Sequence, residues 1–251
     1  LPSCRRKMAE DPKGTPQDFL TLLLEIEGSQ GLSTAEIEDN ILTFIGAGHE
    51  TTARALAWTL YCVANTPAYR EIMEAEIDAA MASGAEPVEW LGLMPHVLAA
   101  FEEAMRLYPP APSINRAAIE EDAWTSPSGE QVRIPKGIAV LIMPWTLHRH
   151  VLYWEKPRAF MPERFLPENR EKLHRYQYLP FGAGPRVCIG AAFALQEAMI
   201  ALAAILRVAE VEPLTTVEPR PVHQITLRSR EPMRLRLRAR RRPSPSSTGI
   251  H

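Results

Sequence analysis

The sequence predicts a mainly α fold with small β-sheets. Three observations point there. A helical pattern runs from Ser33 to about Asn65, far longer than any strand. Two shorter helical patterns follow, over about 68–83 and 94–107. Proline is frequent, with 23 residues, and clusters between positions 87 and 167, which favours loops and short strands in the middle of the chain.

Residues 1–16 are polar and basic and read as a flexible lead. With leucine at position 1, the chain reads as beginning partway through a larger protein. Residues 17–28 form a short amphipathic helix with Phe19, Leu22, Leu23 and Ile26 on one face. Ser33 and Glu36 have capping-box spacing and open the long helix, which Pro67 ends. At about 1.5 Å per residue that helix is on the order of 50 Å long, and its largely apolar circumference is expected to cross the interior. The 68–83 helix is charged on one side, and Pro109-Pro110 stops the 94–107 helix. Residues 131–134 and 138–142, joined through Pro135-Lys136-Gly137, read as a hairpin. An apolar helical pattern begins at Ala191 and runs to about Leu206. Residues 233–238 alternate and read as a strand with one apolar face. Arg240-Arg241-Arg242-Pro243-Ser244-Pro245 opens a disordered basic tail. The expected organisation is therefore a lead over 1–16, a folded domain over 17–238 and a tail over 239–251.

With 251 residues, 46% of them hydrophobic, the chain can bury a sizeable core in one large domain or two small ones. A net charge of -2 carries no bias toward nucleic acid or membrane. Arg234, Arg236 and Arg238 alternate as on a strand, so no nucleic-acid partner is expected. Cys4, Cys62 and Cys188 lie far apart with no C-x-x-C spacing, which argues against a disulfide framework or a cysteine-rich zinc site and for a reducing compartment. The best apolar run, 138–143, stops at Pro144 and is too short to span a bilayer, and no signal-peptide pattern is visible. The expectation is a soluble, cytoplasmic chain; a membrane anchor would lie in an N-terminal part not present here.

Chemistry concentrates in Phe181-Gly182-Ala183-Gly184-Pro185-Arg186-Val187-Cys188-Ile189-Gly190. One cysteine stands at the end of a glycine-punctuated loop, just before a helix whose positive dipole end favours negative charge. Arg186 adds a cation, and Gly184 and Gly190 let the backbone pass close to something flat. The arrangement suits a thiolate metal ligand beneath a planar cofactor such as haem iron. A buried structural cysteine beside an ordinary capping loop is the plainer alternative.

This stretch matches F-x-x-G-x-R-x-C-x-G at every defined position and so resembles the haem-binding loop of the cytochrome P-450 family. The resemblance implies the C-terminal portion of the cytochrome P-450 fold and heme b (iron protoporphyrin IX) held through the Cys188 thiolate, with Phe181, Gly184, Arg186 and Gly190 around the cofactor. A second string, Ala47-Gly48-His49-Glu50-Thr51-Thr52, lies inside the long helix. Glycine, an acid and two threonines are odd choices there, and threonine can bond back to a carbonyl and open the ladder. This string resembles the family's oxygen-activation motif, which implies that Thr51 hydrogen-bonds dioxygen, the co-substrate, and that Glu50 helps relay protons. A kinked, solvent-facing turn is the alternative. His49-Glu50 also begins a zincin-like H-E-x-x-H, but Ala53 stands where the second ligand would be. His148-Arg149-His150 could bind a metal in principle, but reads rather as a strand end with exposed histidines.

Glu103 and Arg106 stand three apart on one helix face, where they can meet. With Arg164 in Pro162-Glu163-Arg164-Phe165 they match the family's E-x-x-R and P-E-R-F elements, which implies a buried structural triad holding the segment under the haem loop. Arg116 sits where the family offers a partner for a haem propionate, and an arginine fork suits a carboxylate. By the same resemblance, 110–114, 44–48 and the loop around Ile225 line an apolar substrate pocket. The implied function is a haem-thiolate monooxygenase, in truncated form, that inserts one oxygen atom of dioxygen into a small apolar organic substrate. A reductase or ferredoxin would donate electrons, and the protein would act as a monomer. The alternative from another class is a non-catalytic haem-binding or partner-binding remnant. The resemblance reaches from about residue 17 to 238 and has no counterpart for the family's N-terminal sheet and early helices.

Overall fold

The computed structural model describes residues 1–27, 31–214 and 217–240. Roughly half of these are helical, and the strands form small antiparallel pairs. The chain divides into two compact units, residues 1–50 and 51–251.

The first unit holds α1 (Pro2–Glu10), α2 (Phe19–Glu25) and the start of α3 (Thr34–Ala64). A flexible lead is the expectation for 1–16, yet α1 forms there, because Leu1, Cys4 and Met8 pack against the buried Leu23, Leu24 and Ile37. Asp18 caps α2, its Oδ1 accepting from the Thr21 N–H at 2.9 Å. The buried side of α2 is Thr21, Leu23 and Leu24; of the expected apolar face Leu23 is buried, while Phe19, Leu22 and Ile26 are exposed in a helix only two turns long. The capping box of α3 forms as read. The Ser33 N–H donates to Glu36 Oε2 at 2.7 Å, and the Glu36 N–H donates to Ser33 Oγ at 3.3 Å. Beyond Ile37 this part of α3 is mostly open, with Leu42 and Ile45 exposed. The expectation that the helix crosses the interior therefore fails for this part.

The second unit takes the rest of α3, then α4 (Pro67–Ala82), α5 (Trp90–Leu93) and α6 (Pro95–Leu107). Next come β1 (Ile114–Ala117), β2 (Asp122–Thr125), β3 (Gln131–Ile134), β4 (Ala139–Ile142), α7 (Pro144–Leu147) and α8 (Pro167–Arg170). The unit closes with α9 (Ala191–Val208), β5 (Ala209–Pro213), β6 (Pro221–His223), β7 (Leu227–Ser229) and β8 (Leu235–Ala239). Proline opens α4, α6, α7 and α8, where its missing N–H costs nothing and its fixed φ suits the first turn.

The core of this unit lies where α3, α4, α6 and α9 meet. Ala55 and Val63 pack with Met73 and Ile77, with Phe101 and Met105, and with Met199 and Leu202. Trp58 is fully buried and stacks flat on Tyr108 at 3.8 Å, while its indole N–H donates to the Leu227 carbonyl at 3.3 Å. A second cluster, Ala99, Trp154, Phe165 and Leu166, covers the other side of α6. The helix is thus buried on both sides, which explains why acids and a base are fully buried along it. α9 is long and apolar enough by composition to cross a membrane, contrary to the sequence expectation: Glu197 and Arg207 interrupt its apolar run, yet its mean hydropathy is still 1.7. Its Ala198, Met199, Leu202, Ala203 and Leu206 are instead buried in the core.

The strand pairing departs from the expected hairpin. β3 pairs with β2 and β4 pairs with β1, so the turn at Gly137 (φ 81) links two sheets rather than the strands of one. β5 pairs with β8 in the register Ala209↔Ala239 to Pro213↔Leu235, and β6 pairs with β7. Ala239 therefore lies in a strand, and Arg240, expected in a disordered tail, binds Asp78 through Nη2 at 2.7 Å and Glu74 through Nε at 3.2 Å. The remainder of the expected tail lies outside the described residues.

Candidate functional site

The site rests on α6. One helical turn separates Glu103 from Arg106, and both are fully buried. Arg106 Nε and Nη2 donate to the two Glu103 carboxylate oxygens at 2.6 and 2.7 Å, a bidentate fork. The remaining guanidinium hydrogens leave the pair. Nη1 donates to the carbonyls of His148 (2.7 Å) and Pro157 (2.8 Å), and Nη2 to that of Ala159 (3.0 Å). Glu103 also accepts the Met161 N–H at 2.9 Å and meets Arg164 Nε at 3.5 Å. Arg164 in turn donates to the Glu155 and Lys156 carbonyls. Burial pushes the Glu103 carboxyl up; the Arg106 fork, the Met161 N–H and the Arg164 charge oppose it. The structure thus brings Glu103, Arg106 and Arg164 together, and the group pins the irregular chain from 148 to 164 onto α6.

The cysteine loop follows that pinned segment. The Leu179 N–H donates to His148 Nε2 at 2.8 Å, and the Cys188 N–H closes the loop onto the Phe181 carbonyl at 2.9 Å. Gly182 and Gly184 hold φ values of 75° and 74°, a region that costs other residues energy. Gly184–Arg186 forms a 3-10 turn, and Gly190 is the N-cap of α9. A side chain at 190 would begin 3.9 Å from the Cys188 sulfur. Cys188 is a free, exposed thiol. Beside it in sequence Val187 and Ile189 are also exposed, by 54% and 81%, as is Phe193 in the first turn of α9, by 74%.

Arg186, on the loop, and Arg116, on β1, are both exposed cations. Ile114 lies against Gly182, with its Cδ1 3.8 Å from where a Cβ there would sit. Because strand side chains alternate, Arg116 shares the β1 face of Ile114. Its Nη1 donates to the Asn115 carbonyl at 2.8 Å. By residue type, an exposed thiol, exposed apolar side chains on the same loop, one cation on that loop and one on the adjoining β1 make a donor set that fits a flat apolar group bearing an iron and two carboxylates. Among the described residues no cluster of three or more His, Cys, Asp or Glu could hold a metal ion.

Glu50 and Thr51 stand side by side in α3, both half-buried, and the helix runs unbroken through Ala47–Thr52 rather than opening there. Thr52, one residue on, is buried. His49 is exposed.

Sequence reasoning missed three arrangements. His148 is fully buried at the end of α7, not exposed on a strand; the apolar run Pro144-Trp145-Thr146-Leu147 before it was the available signal. Glu76 caps α6 from a distance, accepting the His96 and Val97 N–H groups at 3.0 Å each. Glu102, also buried, takes both Arg170 Nη groups, 68 positions away. No local pattern announces the last two.

The family model for cytochrome P450 matches residues 3–236. The chain is 37% identical to human cytochrome P450 4Z1 over 217 residues, covering 85% of this chain and 42% of that protein. It is 37% identical to human cytochrome P450 4A11 over 232 residues, covering 91% and 43%. The crystal structure of a cytochrome P450, CYP102L1, superposes with a TM-score of 0.82 at 32% identity, over 94% of this chain and 54% of that one. The heme domain of a cytochrome P450DA mutant gives 0.81 at 29% identity, over 95% and 50%. The chain spans less than half the length of these curated relatives.

Proposed function

Because the chain belongs to the cytochrome P450 family, a family of haem-thiolate monooxygenases, we propose that it carries the thiolate side of such an enzyme, with Cys188 as the iron ligand. The observation that supports this most is the exposed Cys188 thiol, flanked in sequence by the exposed Val187 and Ile189, on a loop whose Leu179 end is tied through His148 to a buried ion-pair brace. Heme b, when bound through a thiolate, supplies activation of dioxygen for insertion of one oxygen atom into an unactivated C–H bond.

The residues then divide the work. Cys188 would hold the iron through its thiolate. Gly182, Gly184 and Gly190 keep the loop backbone free of side chains beside that sulfur, and the Phe181 carbonyl anchors the loop by accepting the Cys188 N–H. Arg116 and Arg186 would hold the two carboxylates. Thr51 presents a hydroxyl, and Glu50 passes protons to it from solvent. Glu103, Arg106 and Arg164 keep the loop's point of attachment fixed and touch no reactant. Residues 110–114 and the loop around Ile225, which leads into Leu227 whose N–H donates to the Pro110 carbonyl at 3.0 Å, offer an apolar wall to a small organic substrate. Electrons come from a reductase or ferredoxin, the working unit is a monomer, and the cofactor-bearing domain is 17–238. The protein works in the cytoplasm, unless a preceding segment anchors it to a membrane.

A second reading, a haem-binding or partner-binding remnant without activity, draws on the chain's span of less than half its relatives' length. One experiment separates the two. The chain is mixed with haem, reduced and exposed to carbon monoxide. A thiolate-type difference spectrum, lost in Cys188→Ala, supports the ligand assignment. Haem uptake unchanged by Cys188→Ala refutes it, and no uptake at all favours a remnant that binds partners only.

A further inference from the structure

His148 joins the brace to the cysteine loop, and no step described so far uses it. Its carbonyl accepts from Arg106 Nη1 at 2.7 Å, and its ring Nε2 accepts from the Leu179 N–H at 2.8 Å. A ring nitrogen that accepts from an N–H carries no proton, so the ring proton sits on Nδ1, which is buried toward the Met105 and Arg106 main chain and meets no acceptor in good hydrogen-bond geometry among the described residues. From Leu179 the connection continues along the main chain. The Gly182 N–H donates to the Leu179 carbonyl at 3.3 Å, and the Cys188 N–H donates to the Phe181 carbonyl. The other side-chain ties in this stretch, Tyr178 Oη to the Glu102 carbonyl and Gln177 Nε2 to the Tyr153 carbonyl, lie upstream of Leu179.

We propose that His148 is a positioning residue for the thiolate ligand: its neutral imidazole holds the Leu179 N–H and so sets where the loop ending in Cys188 leaves the brace. The requirement is specific. The acceptor must be rigid, since it fixes the Leu179 end of the loop, while Phe181 packs on the core and Ile114 lies against Gly182. It must also stay unprotonated, since a proton on Nε2 would turn the acceptor into a donor facing an N–H. Burial, helped by the Arg106 and Arg149 charges, pushes the His148 pKa down to about 3, so the ring is neutral over the working range.

Two substitutions separate this role from mere filling of space. In His148→Gln the amide oxygen reaches about as far as Nε2 and can still accept; in His148→Phe the ring volume stays but the acceptor goes. Positioning predicts that Phe is the worse variant, with the Leu179 amide exchanging with solvent roughly tenfold faster in the haem-free chain, and that Gln restores its protection. In the haem-loaded, reduced, carbon monoxide-treated chain, the thiolate-type fraction of the spectrum should fall for Phe and recover for Gln. A filling role predicts the reverse order, and that order overturns the proposal. Should neither variant fold, the wild-type chain still decides: nitrogen-15 shifts of His148 must place the ring proton on Nδ1, and a proton on Nε2 overturns the proposal. The spectral arm rests on Cys188 as the iron ligand, while the exchange and nitrogen-15 arms do not, so failure of that assignment and failure of this one are distinguishable.

Discussion

Replacing Arg106 with methionine removes five hydrogen bonds from a side chain with no exposure. Glu103, equally buried, would keep only the Met161 N–H and the 3.5 Å contact with Arg164. Breaking one partner of a buried ion pair costs about 3–5 kcal/mol. The stranded His148 carbonyl, whose bond to Arg106 is fully buried, adds about 1–3 kcal/mol. The sum is of the same order as the whole stability of a small domain, about 5–15 kcal/mol. Arg106→Met should therefore be destabilised by about 4–8 kcal/mol, a large share of that stability. The informative comparison is with Glu103→Leu and the double variant. In the double variant no carboxylate is left unpaired, so it should be more stable than the sum of the single losses by at least about 2 kcal/mol. Urea unfolding of the four chains, followed by far-ultraviolet circular dichroism, gives that coupling directly. A coupling within about 0.5 kcal/mol of zero would mean that the two residues act independently, and the brace as described would be wrong.

Three further outcomes follow from the geometry. His148 has its pKa lowered to about 3 in the folded chain against an ordinary value of 6.5, so below that ordinary value the unfolded chain binds a proton that the folded one does not. Its contribution is therefore complete above about pH 6.5 and is lost as pH falls, by up to about 1.4 kcal/mol per pH unit, so His148→Gln should flatten the stability profile between about pH 6.5 and 5, and an unchanged slope there would refute the assignment. Gly184→Ala places a side chain at φ 74° with open space around it, so the strain alone should cost about 1–2 kcal/mol, seen as a lower melting temperature, while a neutral result would mean that the loop relaxes to another conformation. Arg240→Ala removes the ties from the end of β8 to Glu74 and Asp78 and should lower the unfolding free energy in urea by about 1–3 kcal/mol, with faster amide exchange in β8; equal exchange rates would show that the ion pairs are idle.

Features set by near neighbours in sequence were legible. The capping box of α3, the proline-opened helices, the spacing of Glu103 and Arg106 and the 181–190 loop all depend on residues within a few positions of one another. What failed depends on distant partners. A proline–glycine turn between two strand-like runs looks like a hairpin, but β3 and β4 each find a better partner earlier in the chain. Arg240 reads as tail because the carboxylates that hold it lie about 160 positions away. His148 reads as exposed because flanking charges are visible in sequence and burial is not. α1 had too few apolar residues for a period to show, and forms because three of them find a cluster to join.

The burial of α6 on both sides has a consequence for how the second unit comes apart. A helix covered on one side can shed that cover and remain folded. α6 has helical core on one side and the Trp154 cluster on the other, with the ion pair threading between them. Peeling away the 148–166 segment would open the core as well, so the two layers should be lost in one concerted step. The amides of α6 should then exchange only at the rate of complete unfolding, and the segment that carries the cysteine loop inherits the cooperativity of the core beneath it.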